Sequence, residues 1–428
     1  MKILIIAQYY RPDITAAAFR IAETAELLAQ GGHAVTVITA EPHRTQAKDS
    51  SNGLHLPDSS GAAKQPDQPQ QPRVVRVPIE PFSTGGMKAY LRHYFSFVMR
   101  ARRRVAELIG DGYAPDAVWT SSPPLFVGLI GTKAAQKAKA PMVLDVRDVW
   151  PDTAVAAGQL SESGMGYRLG KVLERYLYRR AAAITCVAQP MAEYVRRETS
   201  RTRAGLSTEE KRITVVYNGA GSQPAVATSP EQASEPDPEQ VIVYAGNLGR
   251  LQGIDSLLRA WAQSDTAQDL GWRVEIIGDG VLAPELKELT ETLGISETVQ
   301  FRGVVSKEES VKATTRAGIL FLNLLPNAVF DLTIPSKLFD YLATGRPIIG
   351  GIRGEGRSLL RELPGNATPA PSDVQEIAEA ITTLVSSQDW SAPRAKNIAV
   401  AGERFSRSRN TERLEKLLHA VSGHSINN

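Results

Sequence analysis

The chain has 428 residues, which at about 150 residues per domain is enough for two large domains. The composition, 42% hydrophobic and 22% charged residues, is that of an ordinary globular protein, so the chain can bury a sizeable core. A single small module and a chain that is disordered throughout are therefore excluded. The net charge of +3 is too small to favour a nucleic acid as the main partner.

Short apolar runs alternate with helix-length segments along the first half of the chain. We predict a strand at 3–7, a helix at 16–30, and further strands at 34–39, 74–79, 117–121, 142–146 and 182–187. The same rhythm restarts with strands at 241–245, 273–277, 299–302, 319–324 and 347–350. This pattern is typical of βαβ units, and it predicts an α/β protein with two doubly wound parallel sheets.

Two segments are too polar to bury a core. Residues 45–72 are rich in Gln, Ser, Pro and Asp and are predicted to be a disordered insertion, and residues 221–240 contain four prolines and are predicted to be an exposed linker. The predicted domains are therefore 1–220 and 241–403. Residues 404–428 are predicted to form a closing helix and tail.

Neither a signal peptide nor a membrane-spanning helix is predicted, because no apolar run approaches about 18 residues. The single cysteine, Cys186, excludes an intramolecular disulfide, is expected to be a buried strand residue, and fits a cytoplasmic location. The histidines lack the spacing of metal ligands, so no metal site is expected; they are His33, His43, His55, His93, His419 and His424.

Residues 87–104 contain six basic and no acidic residues. As a helix, the segment and its continuation would have one apolar stripe of Leu91, Tyr94, Phe95, Val98, Ala101, Val105 and Leu108. Two interpretations stay open: the stripe packs in the core, or its aromatic residues face an anionic membrane that the basic side attracts.

Polar residues follow the predicted strand at 142–146. Arg147, Asp148, Trp150 and Asp152 stand where ligands gather in open α/β sheets, at the carboxyl ends of strands. A hydroxyl-bearing substrate is one interpretation. A structural ion-pair cluster and a metal site are the alternatives.

A glycine-rich turn follows the predicted strand at 241–245. Gly246 and Gly249 would let the backbone approach an anion, and Arg250 would add a charge-assisted contact to a diphosphate. The alternative is a tight strand-to-helix turn with a solvated arginine. The spacing matches neither the dinucleotide fingerprint nor a P-loop.

A short helix is predicted after Pro335, with Thr333 as its cap. Its first turn would contain Ser336 and Lys337, and Asp340 would lie on the same side one turn later. One face could hold a phosphate through the lysine and a sugar diol through the carboxylate. The alternative is an ordinary surface ion pair.

Four motifs in this order resemble the retaining GT-B glycosyltransferases of family four (group 1); they span 8–12, 147–152, 244–249 and 334–341. The resemblance is strongest to the bacterial envelope-polysaccharide subgroup, including N-acetyl-L-fucosamine transferases of O-antigen assembly. It implies two Rossmann-like domains that face each other across a cleft, with the donor held by the C-terminal domain and the acceptor by the N-terminal one.

The resemblance also implies roles for individual residues. Those assigned to catalysis are Asp148, Arg250 and Lys337. Those assigned to the donor site are Gly246, Asn247, Gly249, Gly278, Gly280, Arg302, Val304, Ser336 and Asp340. Those assigned to the acceptor side are Tyr10, Arg11, Arg147 and Trp150.

Two positions depart from the family pattern. Asp340 replaces the second of the family's paired glutamates, and strict spacing puts Leu332 at the first, with Asp331 as the nearest acid. Gln252 stands where the donor loop often has a lysine. The positive charge would therefore come from Arg250 and Lys337.

The implied activity is sugar transfer from a UDP-sugar, with retention of configuration, in envelope-polysaccharide synthesis. The acceptor would be a saccharide or a polyprenyl-diphosphate-linked saccharide, and neither a metal nor a cofactor would be needed, since the nucleotide-sugar is a co-substrate. Residues 87–104 could contact the inner face of the cell membrane. The alternatives are a nucleotide-sugar epimerase of the same fold and a non-catalytic nucleotide-sugar-binding protein.

Overall fold

The computed structural model describes residues 1–43, 71–80, 86–200, 212–221, 238–387 and 391–423, with only the backbone described for 86–91 and 391–392. The chain divides into a first unit, Met1–Ser222 with Arg407–Asn428, and a second unit, Gln223–Ser406. Most of the predicted insertion and of the predicted linker lies outside the described residues. Among the helices described, none is long and apolar enough to cross a membrane.

The first unit is built on a parallel sheet with strand order β3-β2-β1-β4-β5-β6-β7 in the described residues. The strands are β1 (Lys2–Ile6), β2 (Ala34–Ala40), β3 (Arg73–Val77), β4 (Ala117–Ser122), β5 (Met142–Val146), β6 (Ala183–Cys186) and β7 (Arg212–Val215). The order reverses between β1 and β4. This reversal creates a crevice at the carboxyl ends of the strands, where ligands bind in such sheets.

Helices cover both faces of this sheet. They are α1 (Ala16–Gln30), α2 (Gly86–Gly110), α3 (Val127–Ala138), α4 (Asp152–Ala156), α5 (Met165–Arg180), α6 (Gln189–Ser200) and, from the C-terminal end, α15 (Arg407–Ser422). α1 and α15 pack on one face, and α2 and α3 pack on the other. α1 begins where the Thr15 hydroxyl accepts a hydrogen bond from the Ala18 N–H at 3.1 Å.

The second unit has a parallel sheet with strand order β10-β9-β8-β11-β12 in the described residues. The strands are β8 (Glu239–Ala245), β9 (Arg273–Ile277), β10 (Val299–Gly303), β11 (Ala317–Asn323) and β12 (Ile348–Gly351). The helices are α7 (Ile254–Trp261), α8 (Asp265–Asp269), α9 (Ala283–Thr292), α10 (Lys307–Arg316), α11 (Ser336–Thr344), α12 (Gly354–Glu362), α13 (Val374–Val385) and α14 (Ser391–Phe405). A short 3-10 helix, Phe330–Leu332, precedes α11.

The predicted fold class is confirmed: both units are α/β layers around a parallel sheet. One strand was missed and one local prediction is wrong. Strand β7 was not predicted. In the apolar stripe of α2, Phe95 is 43% exposed, and Phe97, which was not placed in that stripe, is in the core. Thr333 does not cap α11, because its hydroxyl donates to the Phe330 carbonyl and Pro335 occupies the N-cap position.

Candidate active site

Lys337, the second residue of α11, places its ammonium group at the carboxyl end of β8. Its Nζ donates to the Tyr244 hydroxyl at 2.9 Å, and that hydroxyl donates to the Asn247 carbonyl at 2.7 Å. A Cβ on Gly246 would lie 2.2 Å from Nζ of Lys337, so the ammonium group lies against bare backbone. The first turn of α11 and the loop after β8 therefore meet at one cation.

Two glycine loops pack backbone against backbone beside this lysine. The Gly246 N–H donates to the Ile277 carbonyl at 2.8 Å, and the Leu248 N–H donates to the Asp279 carbonyl at 2.9 Å. A Cβ on Gly278 would lie 1.9 Å from the carbonyl oxygen of Gly246. This approach requires glycine, and Gly246 and Gly278 also have positive φ of 153° and 126°. The loops after β8 and β9 thus form a close-packed cradle of main chain beside Lys337.

Burial lowers the pKa of Lys337 to about 7, and the charge of Asp340, one turn later on α11, opposes this shift. The lysine faces a phenol: its Nζ lies 4.1 Å from the centroid of the Tyr244 ring. An anion bound next to Nζ would raise the pKa again. This arrangement, at the amino end of a helix, is suited to an anionic ligand such as a diphosphate.

Other predicted donor residues lie on the loops after β8 and β9 and on α11. Arg250 and Asp340 are exposed, and Ser336 is half-buried at the start of α11. A Cβ on Gly249 would lie 2.5 Å from Nδ2 of Asn247, and a Cβ on Gly280 would lie 2.4 Å from the Leu248 carbonyl oxygen. Gln252, at the position where the family often has lysine, has a buried Oε1 without a hydrogen-bond partner among the described atoms.

Arg302 lies near the end of β10 and Val304 follows that strand, and the structure pairs Arg302 with a carboxylate of the fold. Its guanidinium lies 3.2 Å from Glu275 on β9, and Val304 is 58% exposed. The Gly278 N–H donates to the Gly303 carbonyl at 2.8 Å, which ties the end of β10 to the cradle. Asp331 forms an ion pair with Arg353 at 3.3 Å.

In the first unit, Arg147 belongs to a buried charge cluster at the carboxyl ends of β4 and β5. Asp145 accepts two hydrogen bonds from Arg20, at 2.6 and 3.0 Å. Nε of Arg147 lies 3.7 Å from the same carboxylate and donates to the Ser121 hydroxyl at 2.9 Å. Burial lowers the pKa of Arg147 to about 10, although Asp145 opposes the shift. Two guanidiniums therefore share the one buried carboxylate of Asp145.

Asp148 and Trp150 lie on the loop between β5 and α4. The Asp148 carboxylate accepts a hydrogen bond from the Thr153 hydroxyl, and burial raises its pKa. The Trp150 ring lies 5.8 Å from the Phe126 ring, and a Cβ on Gly170 would lie 2.8 Å from it. Glycine in α5 is therefore what lets the tryptophan lie against that helix.

Tyr10 and Arg11 are engaged in packing contacts. Tyr10 is buried, which raises its pKa to about 12. The Arg11 guanidinium lies 2.8 Å from Glu26 and 3.3 Å from Glu23 on α1. Both residues hold the loop after β1 against α1.

Sequence reasoning missed an aromatic hollow of about 120 Å³ in the first unit, lined by Tyr9, Tyr94, Pro123, Pro124, Leu125, Phe126 and Trp150. His43 stacks on Tyr9 with ring centroids 5.3 Å apart, and its Nε2 is buried without a hydrogen-bond partner among the described atoms. The signal was present in the sequence, since Tyr9, Pro123 and Trp150 each follow the carboxyl end of a strand.

Comparison with known families assigns a domain to each unit. Residues 15–219 match the family described as "Glycosyl transferase 4-like domain". Residues 239–387 match the family described as "Glycosyl transferases group 1". The two matched segments leave unmatched only the first 14 residues, 220–238 and the residues after 387.

The chain is similar over most of its length to glycosyltransferases. WcaI of Escherichia coli (strain K12), a glycosyl transferase named for colanic acid biosynthesis, is 24% identical over 402 residues, 89% of this chain and 91% of WcaI. HepE of Anabaena, solved with UDP and glucose, superposes with a TM-score of 0.64 at 16% identity over 98% of this chain and all of HepE. Sucrose-phosphate synthase from Thermosynechococcus elongatus gives 0.70 at 15% identity over 99% of this chain and all of that one. With a glycosyl transferase 4-like domain in its first unit and a group 1 domain in its second, the protein is a glycosyltransferase of the GT-B fold.

Proposed function

We propose that the protein transfers a sugar from a UDP-sugar to a hydroxyl of a saccharide acceptor, with retention of anomeric configuration. One observation above all supports this proposal: the Lys337 ammonium group lies against the main chain of Gly246, in a glycine cradle at the amino end of a helix. HepE, which shares the fold, was solved with UDP and glucose. The second unit would bind the donor and the first unit the acceptor.

In the proposed reaction, the bond between the anomeric carbon and the diphosphate oxygen breaks, and a bond forms from the acceptor oxygen to the same face of that carbon. The acceptor proton passes to the departing diphosphate oxygen, so neither an enzymic nucleophile nor a metal ion is required. Lys337, Arg250 and the amino end of α11 would neutralise the charge that develops on the leaving group. Asp340 would bind the ribose hydroxyls, and Asp148 would orient the acceptor.

The proposed acceptor is a saccharide, or a polyprenyl-diphosphate-linked saccharide, of the cell envelope. The name of WcaI refers to colanic acid biosynthesis, which supports an envelope polysaccharide. The hollow lined by Tyr9, Phe126 and Trp150 offers aromatic surface on which a sugar ring can stack.

The test is a transfer assay with a panel of UDP-sugars, saccharide acceptors and polyprenyl-diphosphate-linked acceptors, in the presence of EDTA. We expect one donor to give a glycosylated product, and NMR to show the donor's anomeric configuration in that product. Inverted configuration, or activity abolished by EDTA and restored by a divalent ion, would contradict the proposed mechanism. Steady isomerisation of the donor alone would favour an epimerase, and saturable binding without turnover would favour a binding protein.

We also propose that the first unit docks on an anionic membrane through α2 and α5. Large apolar side chains on these helices are exposed: Phe95, Met99, Met165, Leu169 and Val172. Exposed arginines flank them: Arg92, Arg102, Arg168 and Arg179. α3 packs between the two helices, so the apolar residues belong to one side of the unit. At about 1 kcal/mol per basic residue near an anionic surface, four arginines would give about 4 kcal/mol, enough for reversible docking.

Vesicle co-sedimentation tests this docking surface. We expect the protein to sediment with phosphatidylglycerol vesicles and much less with phosphatidylcholine vesicles, and Leu169→Ser to weaken the binding several-fold. Val281→Ser is the matched control, because Val281 lies in the second unit and is 62% exposed, like Leu169. Equal binding to both vesicle types, or equal loss in the two variants, would reject the surface.

A further inference from the structure

Three potential metal ligands meet at the side of the first unit opposite its candidate site. His33 ends the turn before β2, and Glu415 and His419 stand one turn apart on α15. One ligand atom from each residue lies within 4.8 Å of the others. The Ala420 carbonyl accepts a hydrogen bond from Arg212, the first residue of β7, so this cluster lies at the amino ends of the strands.

A hydrogen bond between His33 and Glu415 explains only part of this cluster. Nε2 of His33 lies 2.7 Å from Oε1 of Glu415, and Nδ1 of His33 lies 3.3 Å from the nitrogen of Met1. The His419 ring lies 5.6 Å from the His33 ring, and its Nδ1 is buried without a hydrogen-bond partner among the described atoms. A buried nitrogen that lacks a partner destabilises the fold, so such groups usually indicate a missing ligand or water.

We infer that His33, Glu415 and His419 bind a divalent transition-metal ion, with Zn²⁺ the best match to two imidazoles and one carboxylate. Ligand atoms of a tetrahedral zinc site lie about 3.3 Å apart at bond lengths of about 2.0–2.1 Å. Small side-chain rotations would therefore form the site. The distance between Nε2 of His33 and Oε1 of Glu415 would increase from 2.7 Å, and the His419 ring would move toward both atoms. The Glu415 side chain is 34% exposed, so water can fill the fourth position.

The role of this ion is structural. It would tie α15, which the chain supplies from its C-terminal end, to the turn between α1 and β2. Because the cluster lies at the opposite ends of the strands from Asp148 and Trp150, the ion would take no direct part in sugar transfer. The individual histidines are far apart in the sequence, so their spacing could not predict the cluster; the only local signal is Glu415 and His419 at i and i+4 on one helix.

The experiment measures thermal stability and metal content of the full chain after dialysis against EDTA. We expect one equivalent of Zn²⁺ to bind and, at about one hundred times Kd, to raise Tm by about 5–10 °C. Co²⁺ in its place should give the visible absorption of a tetrahedral site. His419→Ala and Glu415→Gln should abolish both signals.

The matched control is Glu412→Gln on the same helix, where Glu412 is exposed and pairs with Arg409 at 2.9 Å. This variant should keep the Zn²⁺ response. An unchanged Tm on addition of Zn²⁺ to the wild type, or a shift that persists in His419→Ala, would overturn the inference. If His419→Ala does not fold, His419→Gln gives the same comparison with a side chain of similar size.

Discussion

The charged side chains at the carboxyl ends of the two sheets have different kinds of partner. In the first unit, Asp145 is fully buried and bound by Arg20 at 2.6 Å and Thr185 at 2.7 Å, with Arg147 at 3.7 Å. In the second unit, Lys337 is held by the hydroxyl and the ring of Tyr244. In the first unit two guanidiniums share one buried carboxylate, whereas the partly buried lysine of the second unit faces a neutral phenol and main chain.

This difference in partners distinguishes a charge that stabilises the fold from a charge that can bind a ligand. A balanced buried pair gains nothing from an added anion, and removal of either member leaves the other uncompensated. A partly buried lysine with a pKa of about 7 is destabilised in its charged form, and a bound anion would relieve this. Both sheets therefore have cations at their carboxyl ends, and of Arg20 and Lys337 we expect only Lys337 to respond to a diphosphate.

The largest expected effect comes from breaking the buried ion pair between Arg20 and Asp145. Arg20→Met leaves Asp145 buried without its main partner, so the free energy of unfolding of the first unit should fall by about 3–5 kcal/mol. Urea unfolding measures this change. Arg103→Met is the control: Arg103 is 85% exposed and pairs with Glu107, so its replacement should cost less than about 1 kcal/mol. Equal losses in the two variants would mean that burial of the pair does not matter.

The next largest effect is on the affinity for the donor when Lys337 is replaced. Lys337→Met removes one charge-assisted contact, worth about 1.5–3 kcal/mol, so the Kd for UDP-glucose should rise roughly 10- to 150-fold in calorimetric titrations. Tm should stay the same or rise at pH 7, because methionine does not have to be buried as a cation. Lys312→Met on α10 is the control, since Lys312 is exposed. An unchanged Kd in Lys337→Met would remove the lysine from the donor site.

The sequence predicted most of the fold because local signals and the parallel-sheet rhythm agree. Each predicted strand is present within about two residues, and the helix at 16–30 has the predicted bounds. The exposure of Phe95 could not be predicted, because helical periodicity gives the width of an apolar stripe but not which residues of its edge are covered. β7 was missed because a four-residue strand gives too short a pattern to recognise.

The chemistry at the candidate site was predictable only in part. The glycine loop and Lys337 were identified from residue types and order, but the sequence gives no sign that Tyr244 holds the ammonium group or that burial lowers its pKa. Arg302 was assigned to the donor site by resemblance, and its ion pair with Glu275 depends on the register between β9 and β10. Such side-chain partners arise from tertiary packing, which spacing along one strand or helix does not specify.

The smallest expected effect is a pH dependence of the affinity for UDP-glucose, which we attribute to Lys337 and not to the cluster around Asp145. If Lys337 contacts the donor as proposed, only its protonated form would attract the diphosphate, and its pKa, which burial lowers to about 7, would be higher in the complex. We therefore expect the affinity for UDP-glucose to be greatest below pH 7 and to fall as pH rises above it, by about tenfold between pH 6 and pH 8. UDP-glucose is the suitable probe because its diphosphate does not titrate in this range.

Calorimetry at pH 8 in buffers of different ionisation enthalpy should show the uptake of about one proton per donor bound. Lys337→Met should show neither the proton uptake nor the fall in affinity with rising pH. Arg103→Met leaves the lysine and the buried cluster intact, so it should keep both. A wild-type affinity that does not change with pH would mean that the lysine is already charged before the donor binds. The contrast between the two units would then lie in their packing alone.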